Sequence, residues 1–197
     1  KVEWLEQELA TTRAELAGIS GLRQEIPEAS APLLQSARVL LHSEPSSAFR
    51  RGWLSKGRFH GVHLGDLVVS GQVLVGQILE VRENHSVALW VSDPEFRIRA
   101  VARQVTGIAE GALSDGMRFT LRMGVELKEG DPVTTSPEGF HCGWGLVLGQ
   151  ISAIHSVLDV PIPEVSIRPV LNPDHLEWVQ ILPKEPANMP PREFGKD

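Results

Sequence analysis

The chain lacks most of the features that mark an enzyme or a membrane-spanning segment. Among its 197 residues there is one cysteine, Cys142, so no internal disulfide can form, and there is no tyrosine. No apolar run approaches the roughly 20 residues needed to cross a bilayer. The sequence has no G-x-S-x-G, P-loop or G-x-G-x-x-G segment. Nothing in it therefore favours a serine hydrolase or a nucleotide cofactor.

Clustered positive charge and metal-ligand clusters are also scarce. The formal net charge is -6, which disfavours a nucleic-acid partner because phosphate binding needs grouped Lys and Arg. His60 and His63 form an H-x-x-H pair in a predicted turn without further ligands, so we expect no metal. His141 alone does not activate Cys142. We therefore expect no catalytic residue, no cofactor and no enzymatic activity.

What the chain does contain is a repeated pattern. A Gly65-Asp66 turn leads into an alternating strand, and a second strand is entered through Val75-Gly76-Gln77-Ile78. The same order recurs with Gly130-Asp131 and Leu148-Gly149-Gln150-Ile151. Such a repeat predicts two related β modules. Because Asp66 and Asp131 occupy equivalent turns, we expect them to cap those turns and not to take part in catalysis.

One helix is predicted, over residues 2–26. Apolar residues recur at alternating steps of three and four, as in a coiled-coil seam, with Leu5, Leu9, Leu16 and Ile19 as the predicted dimer contacts. An amphipathic helix packed on its own domain is the alternative. Pro27 ends the helix. Since the chain begins inside this pattern without a methionine, we expect that an upstream segment has been removed.

After the helix the hydrophobic period changes to two, which predicts all-β modules of sandwich or barrel type. The predicted strands include one near residue 37, pairs around each repeat, and a last one over 178–182. Thr106 to Gly111 is predicted as a turn. The whole is all-β with an N-terminal α-helix. The predicted division is a coiled-coil helix (1–26), a linker (27–36), a first β-barrel (37–106), a second β-barrel in tandem (107–182) and a flexible proline-rich tail (183–197).

The candidate partner surface is a row of arginines. Phe96, Ile98, Ala100 and Ala102 alternate with Arg97, Arg99 and Arg103, which predicts a strand with one buried and one solvated face. The arginines could bind an anionic partner. Among the five tryptophans, Trp53, Trp90 and Trp178 are predicted in the core. Trp4 and Trp144 are predicted as exposed anchors for protein contacts.

The order of the motifs identifies a family. They are, along the chain, Ala37-x-Val39, Pro45-Ser46, Gly61-Val62-x-x-Gly65-Asp66-x-Val68, Val75-Gly76-Gln77-Ile78, Ser92-Asp93-Pro94, Thr106-Gly107, Gly130-Asp131-x-Val133-x-Thr135, Leu148-Gly149-Gln150-Ile151, Val165-x-Ile167-x-Pro169 and Leu176-Glu177-x-Val179. With the heptad helix in front, this series resembles the periplasmic part of MreC, the bacterial rod-shape-determining protein, over about residues 1 to 182.

The resemblance implies a non-enzymatic scaffold that maintains rod shape. Members of the family are anchored in the inner membrane by one helix and carry a coiled coil and two small β-barrels on its periplasmic side. They self-associate and organise the peptidoglycan elongation machinery. The implied partners are a class B penicillin-binding protein, RodA, MreD and the MreB system. The family supplies no catalytic residues to transfer.

Two other functions share some of these sequence features. A periplasmic adaptor of an efflux or secretion system also joins a coiled coil to β modules, but its helical hairpin is inserted within the β part. Here the predicted helix precedes all strands, which disfavours that interpretation. A barrel hydrolase would need a nucleophile framed by glycines, and none is present.

Overall fold

The computed structural model describes residues 35–43, 47–112, 116–121, 127–136, 145–155 and 164–184. The chain divides into one unit of residues 1–31 and another of residues 32–197, and all described residues lie in the second. The predicted helix (1–26), most of the predicted linker and the tail from residue 185 lie outside the described residues, so they stay predictions. Within the described ranges the chain is all-β and contains a β-barrel, as predicted.

Twelve strands lie within the described residues. They are β1 (Gln35–His42), β2 (Arg51–Leu54), β3 (Leu67–Ser70), β4 (Val73–Val81), β5 (Ser86–Trp90), β6 (Arg97–Ala102), β7 (Val105–Ala112), β8 (Gly116–Leu121), β9 (Pro132–Thr135), β10 (Val147–His155), β11 (Glu164–Pro169) and β12 (Trp178–Leu182). Two short 3₁₀ helices, Arg58–His60 and Pro173–His175, lie between them.

The antiparallel pairings of these strands form two closed cycles, which we call the first ring and the second ring. In the first ring the order is β1, β2, β5, β4, β3, β12 and back to β1. In the second ring it is β6, β7, β8, β11, β10, β9 and back to β6. A single parallel contact, Val147 with Val73, joins β10 to β4.

The buried side chains fall into two clusters. The first fills the first ring and includes Trp90, Leu54, Ile78 and Val179. The second is larger and is centred on Phe96, Phe119 and the neighbouring strands of the second ring.

Strand β3 shows how the rings meet. Val68 belongs to the first cluster, whereas Leu67 and Val69, on the opposite face of the strand, belong to the second. Because β3 is apolar on both faces, the rings are packed against each other and are not separated by a linker.

Two crossings connect the rings along the chain. The first is the Ser92–Asp93 turn between β5 and β6. Its Asp93 carboxylate is fully buried and accepts hydrogen bonds from the backbone N–H of Arg50 (2.6 Å) and of Glu95 (2.8 Å). The second, between β11 and β12, contains a 3₁₀ helix capped by Asn172, whose side chain accepts from the Asp174 N–H at 3.0 Å.

The turn predicted over Thr106 to Gly111 is wrong, because those residues lie in β7. The glycines in β7 allow neighbouring backbone segments to approach the strand closely, and they do not reverse its direction. A Cβ added at Gly107 would lie 2.5 Å from the Thr120 carbonyl oxygen, and one at Gly111 would lie 1.9 Å from that of Asp93.

The division into domains at residue 106 stays a prediction. In the strand pairings β12, which the sequence placed with the later strands, lies between β1 and β3. Strand β6, placed with the earlier strands, pairs with β7 and β9.

Candidate partner-binding surface

The two repeated Gly-Asp turns have the same geometry. The Asp66 Oδ2 atom accepts the His63 N–H at 2.8 Å, and the Asp131 Oδ2 atom accepts the Lys128 N–H at 2.7 Å. In each turn the carboxylate therefore caps the N–H three residues earlier, as the sequence predicts. Both glycines are left-handed, with φ of 86° at Gly65 and 87° at Gly130.

The repeat extends to the strand that follows each turn. In both copies the turn exchanges two backbone hydrogen bonds with the isoleucine of the Gly-Gln-Ile motif. The N–H of Gly65 donates to Ile78 O (2.9 Å) and that of Ile78 to Asp66 O (2.8 Å), while the N–H of Gly130 donates to Ile151 O (2.8 Å) and that of Ile151 to Asp131 O (2.9 Å). The duplicated motif is thus a duplicated piece of structure.

Each aspartate also binds a residue that closely follows a strand of its ring, Lys184 after β12 and Arg103 after β6. The Lys184 N–H donates to Asp66 Oδ1 at 3.1 Å, and the Arg103 Nε–H donates to Asp131 Oδ2 at 2.9 Å. The backbone hydrogen bond from Lys128 lowers the pKa of Asp131 below its ordinary value, burial opposes this, and Arg103 lowers it further. Both carboxylates are therefore engaged in structural contacts.

The arginine row is only partly available to a partner. The predicted alternation is present, since Ile98 and Ala100 are buried while Arg97 and Arg99 are exposed. Arg97 Nε lies 3.3 Å from Glu110 Oε1, and Arg103 is bound to Asp131. Within the part of the chain that the structure describes, Arg99 alone of the three has no ion-pair partner. The candidate contacts Trp144, Leu5, Leu9, Leu16 and Ile19 lie outside the described residues.

The histidine pair has an ordinary turn geometry. The His60 Nδ1 atom accepts the Gly57 N–H at 3.2 Å, and His63 is exposed with its Nδ1 3.9 Å from Asp66 Oδ2. In the described ranges no group of three His, Cys, Asp or Glu side chains could hold a metal ion. His141 and Cys142 fall in an undescribed range.

The tryptophan predictions are borne out unequally. Trp90 is fully buried and belongs to the first cluster, as predicted, and Trp53 is half-buried. The prediction that Trp178 lies in the core is wrong, because it is 60% exposed. Trp178 alternates with the buried Val179 on β12, so it points outward.

Trp178 belongs to an exposed apolar strip that sequence reasoning missed. Arg38 on β1 lies directly opposite Trp178, and farther along β1 Leu40 and Leu41 are 56% and 60% exposed. Two consecutive leucines point outward because the pairing of β1 with β2 is irregular between Val39 and Leu41, as at a β-bulge. We call Trp178, Arg38, Leu40 and Leu41 the tryptophan strip. The apolar pair Leu40-Leu41, out of step with period two, was the available signal.

Fold and surface together define an all-β protein with a β-barrel. Its surface carries the tryptophan strip and the arginine row. In the residues searched, no helix has both the length and the apolar character to span a membrane.

The sequence matches the family of the rod shape-determining protein MreC, barrel core, over residues 40–183, so the chain belongs to the MreC family. No curated protein matches it.

Solved structures share the fold. MreC of Listeria monocytogenes aligns with a TM-score of 0.69 at 20% identity, covering 93% of this chain and 90% of that one. MreC of Pseudomonas aeruginosa gives 0.65 at 20% identity, covering 76% and 98%. MreC in a complex with penicillin-binding protein PBP2 from Helicobacter pylori gives 0.59 at 15% identity, covering 77% and 98%.

Proposed function

We propose that this chain is a non-enzymatic scaffold on the periplasmic side of the bacterial inner membrane, where it organises peptidoglycan elongation and maintains rod shape. The observation that carries the proposal is the family match over residues 40–183. A structural relative solved together with PBP2 supports a class B penicillin-binding protein as partner. RodA, MreD and the MreB system are the further partners, and one transmembrane helix upstream anchors the chain.

We further propose that the two rings are two small β-barrels, with the second inserted into the first. Strands β1 to β5 precede the second ring, and β12 closes the first ring after it. This changes the predicted division at residue 106. The first barrel takes 35–90 with 178–182, and the second takes 97–169. The closed pairings support it, since closure removes free strand edges.

Self-association is proposed through the N-terminal helix. Its apolar seam, with Leu5, Leu9, Leu16 and Ile19, would pair two chains, since each leucine removed from water contributes roughly 1.5–3 kcal/mol. Analytical ultracentrifugation of the chain with and without residues 1–26 tests this. Deletion should convert a dimer into a monomer. An unchanged association state after deletion would remove the helix from the proposal.

The tryptophan strip is a better candidate than the arginine row for contact with the penicillin-binding protein. Exposed aromatic and apolar side chains with an arginine among them have the composition of interface hot spots. In the row, by contrast, two of the three guanidinium groups are already occupied by Glu110 and Asp131. Arg99 and Trp144 remain the contacts proposed for that second surface.

Binding of the periplasmic region of the class B penicillin-binding protein, measured by calorimetry, tests both surfaces. The Trp178→Ser/Leu41→Ser variant should weaken binding by about 30-fold, the size expected on loss of a hot spot. Arg99→Glu and Trp144→Ala test the row, and Phe59→Ser, an exposed apolar residue elsewhere, is the matched control. Undiminished binding by the strip variant rejects the strip, and no binding by the wild type rejects the partner.

A periplasmic adaptor is not favoured. Such a protein has a helical hairpin inserted within its β part, whereas the crossings over 91–96 and 170–177, both fully described, contain a turn and a single 3₁₀ helix.

A further inference from the structure

The end of the first ring opposite its connections to the second carries two highly exposed apolar side chains. Strand β5 runs from Ser86 at this end to Trp90 at the connection. We call residues 56–66, residues 82–85 and Lys184 the distal tip. Within it Phe59 is 72% exposed and Leu64 is 71% exposed, the highest values among the large apolar side chains of the described residues.

Backbone hydrogen bonds hold this tip in place. The N–H groups of Arg58 and Phe59 donate to the carbonyls of Arg82 (2.8 Å) and Glu83 (3.0 Å) in the β4–β5 turn. Gly57 fits tightly against the same turn, since a Cβ there would lie 2.4 Å from the Arg82 carbonyl oxygen. The exposure of Phe59 is therefore fixed by the fold and needs no rearrangement to present the ring.

Cationic side chains are concentrated in the distal tip, which contains Lys56, Arg58, Arg82 and Lys184. Lys56, Arg58 and Lys184 have no ion-pair partner in the described part of the chain. The carboxylates of the tip are Glu83 and Asp66, and Asp66 accepts the backbone N–H groups of His63 and Lys184. Arg82 is paired with Glu80 at 3.6 Å. The tip is thus locally basic on a chain whose formal net charge is -6.

We propose that the distal tip is a membrane-contacting surface. Phe59 and Leu64 enter the interfacial region of an anionic bilayer, while Lys56, Arg58 and Lys184 contact the headgroup phosphates. Two apolar side chains projecting from a loop, flanked by cations, fit a lipid interface, where apolar insertion and attraction to anionic lipid act together. A protein partner would be expected to use a broader face, such as the tryptophan strip. This inference does not depend on the penicillin-binding protein.

Co-sedimentation of the whole chain with vesicles tests the proposal. Binding to vesicles of equal phosphatidylglycerol and phosphatidylcholine should exceed binding to pure phosphatidylcholine by at least about tenfold. Phe59→Ser/Leu64→Ser should lower the affinity for the anionic vesicles by about tenfold. Leu40→Ser/Leu41→Ser, which also replaces two exposed apolar side chains by serine but at another site, should leave it within about twofold.

A dye at the tip separates insertion from surface adsorption. Leu64→Cys carrying an environment-sensitive fluorophore, in a Cys142→Ser background, should shift to the blue with anionic vesicles, and Leu40→Cys should not. The proposal is overturned by equal binding to both lipid compositions, by no binding, by equal losses in the two double variants, or by an unshifted dye at position 64. Binding of the tip to a purified protein partner without any vesicle binding would also overturn it.

Discussion

Gly149, the glycine of the second Gly-Gln motif, offers the sharpest test of the duplicated architecture. It lies in β10 opposite Pro169 of β11. A Cβ at this position would lie 2.1 Å from the Arg168 carbonyl oxygen and 2.9 Å from a methyl of Ile167. Ordinary contacts of this kind begin near 3.4 Å, so Gly149→Ala forces the two strands apart by about 1.3 Å.

The expected cost has two parts. Overpacking of a filled site costs about 1–3 kcal/mol. Separating the strands also weakens one or two ladder hydrogen bonds, at about 0.5–1.5 kcal/mol each. We therefore expect Gly149→Ala to lower the free energy of unfolding by about 3 kcal/mol, which corresponds to a fall in Tm of roughly 6–12 °C for a chain of this size.

Urea unfolding followed by tryptophan fluorescence measures this change. Gly145→Ala is the matched control, because its nearest neighbours would lie at 3.7–3.9 Å, and it should stay within about 0.5 kcal/mol of the wild type. Gly76→Ala, the equivalent change in the first ring, should also be costly, since its Cβ would lie 2.6 Å from the Leu89 carbonyl oxygen. Equal stabilities of Gly149→Ala and Gly145→Ala would refute the reasoning.

Three further outcomes are expected. The folded state lowers the pKa of Asp131, so its carboxylate stabilises the fold at pH values above the unfolded pKa of about 3.9. This stabilisation is lost as the pH falls through the lower pKa of the folded state. The difference in stability between wild type and Asp131→Asn should therefore be constant from pH 7 to about 5 and shrink below pH 4. A Cβ at Gly52 would lie 2.0 Å from the Trp90 ring, so Gly52→Ala should displace the ring and shift its fluorescence maximum. Ending the chain at residue 177 removes β12 and leaves edges of β1 and β3 unpaired, so it should aggregate in light scattering, whereas a chain ending at residue 184 should not.

Local patterns predicted the strands and the turns well. Period-two alternation identified β6, with its arginines outside and Ile98 inside, because one face of that strand is buried. The Gly-Asp turns were also predicted with their capping role, since a left-handed glycine followed by aspartate has few other structural uses. These features depend on neighbours close in sequence.

Features that depend on distant neighbours were missed. Gly107 and Gly111 indicate a turn locally, but they are needed where Thr120 and Asp93 approach the strand. Trp178 looks like a core residue by composition, yet the alternation of β12 places it outside. The irregularity that exposes both Leu40 and Leu41 is a property of the pairing with β2 and leaves only a weak trace in the sequence.

The two rings have the same arrangement of strands, except that the strand that comes first along the chain in the second ring comes last in the first ring. Strand β6 opens the second ring and pairs with β7 and β9, while β12 has the equivalent place in the first ring, between β1 and β3, but comes last in the chain. As a result the first ring opens and closes at the distal tip, where the Gln35 side chain lies about 3.5 Å from a Cβ position at Gly61 and Lys184 donates its N–H to Asp66. The second ring is tied to the first by both crossings and by the packing of β3. A scaffold built in this way can present the tryptophan strip and the distal tip at fixed positions relative to each other, because both belong to the same ring.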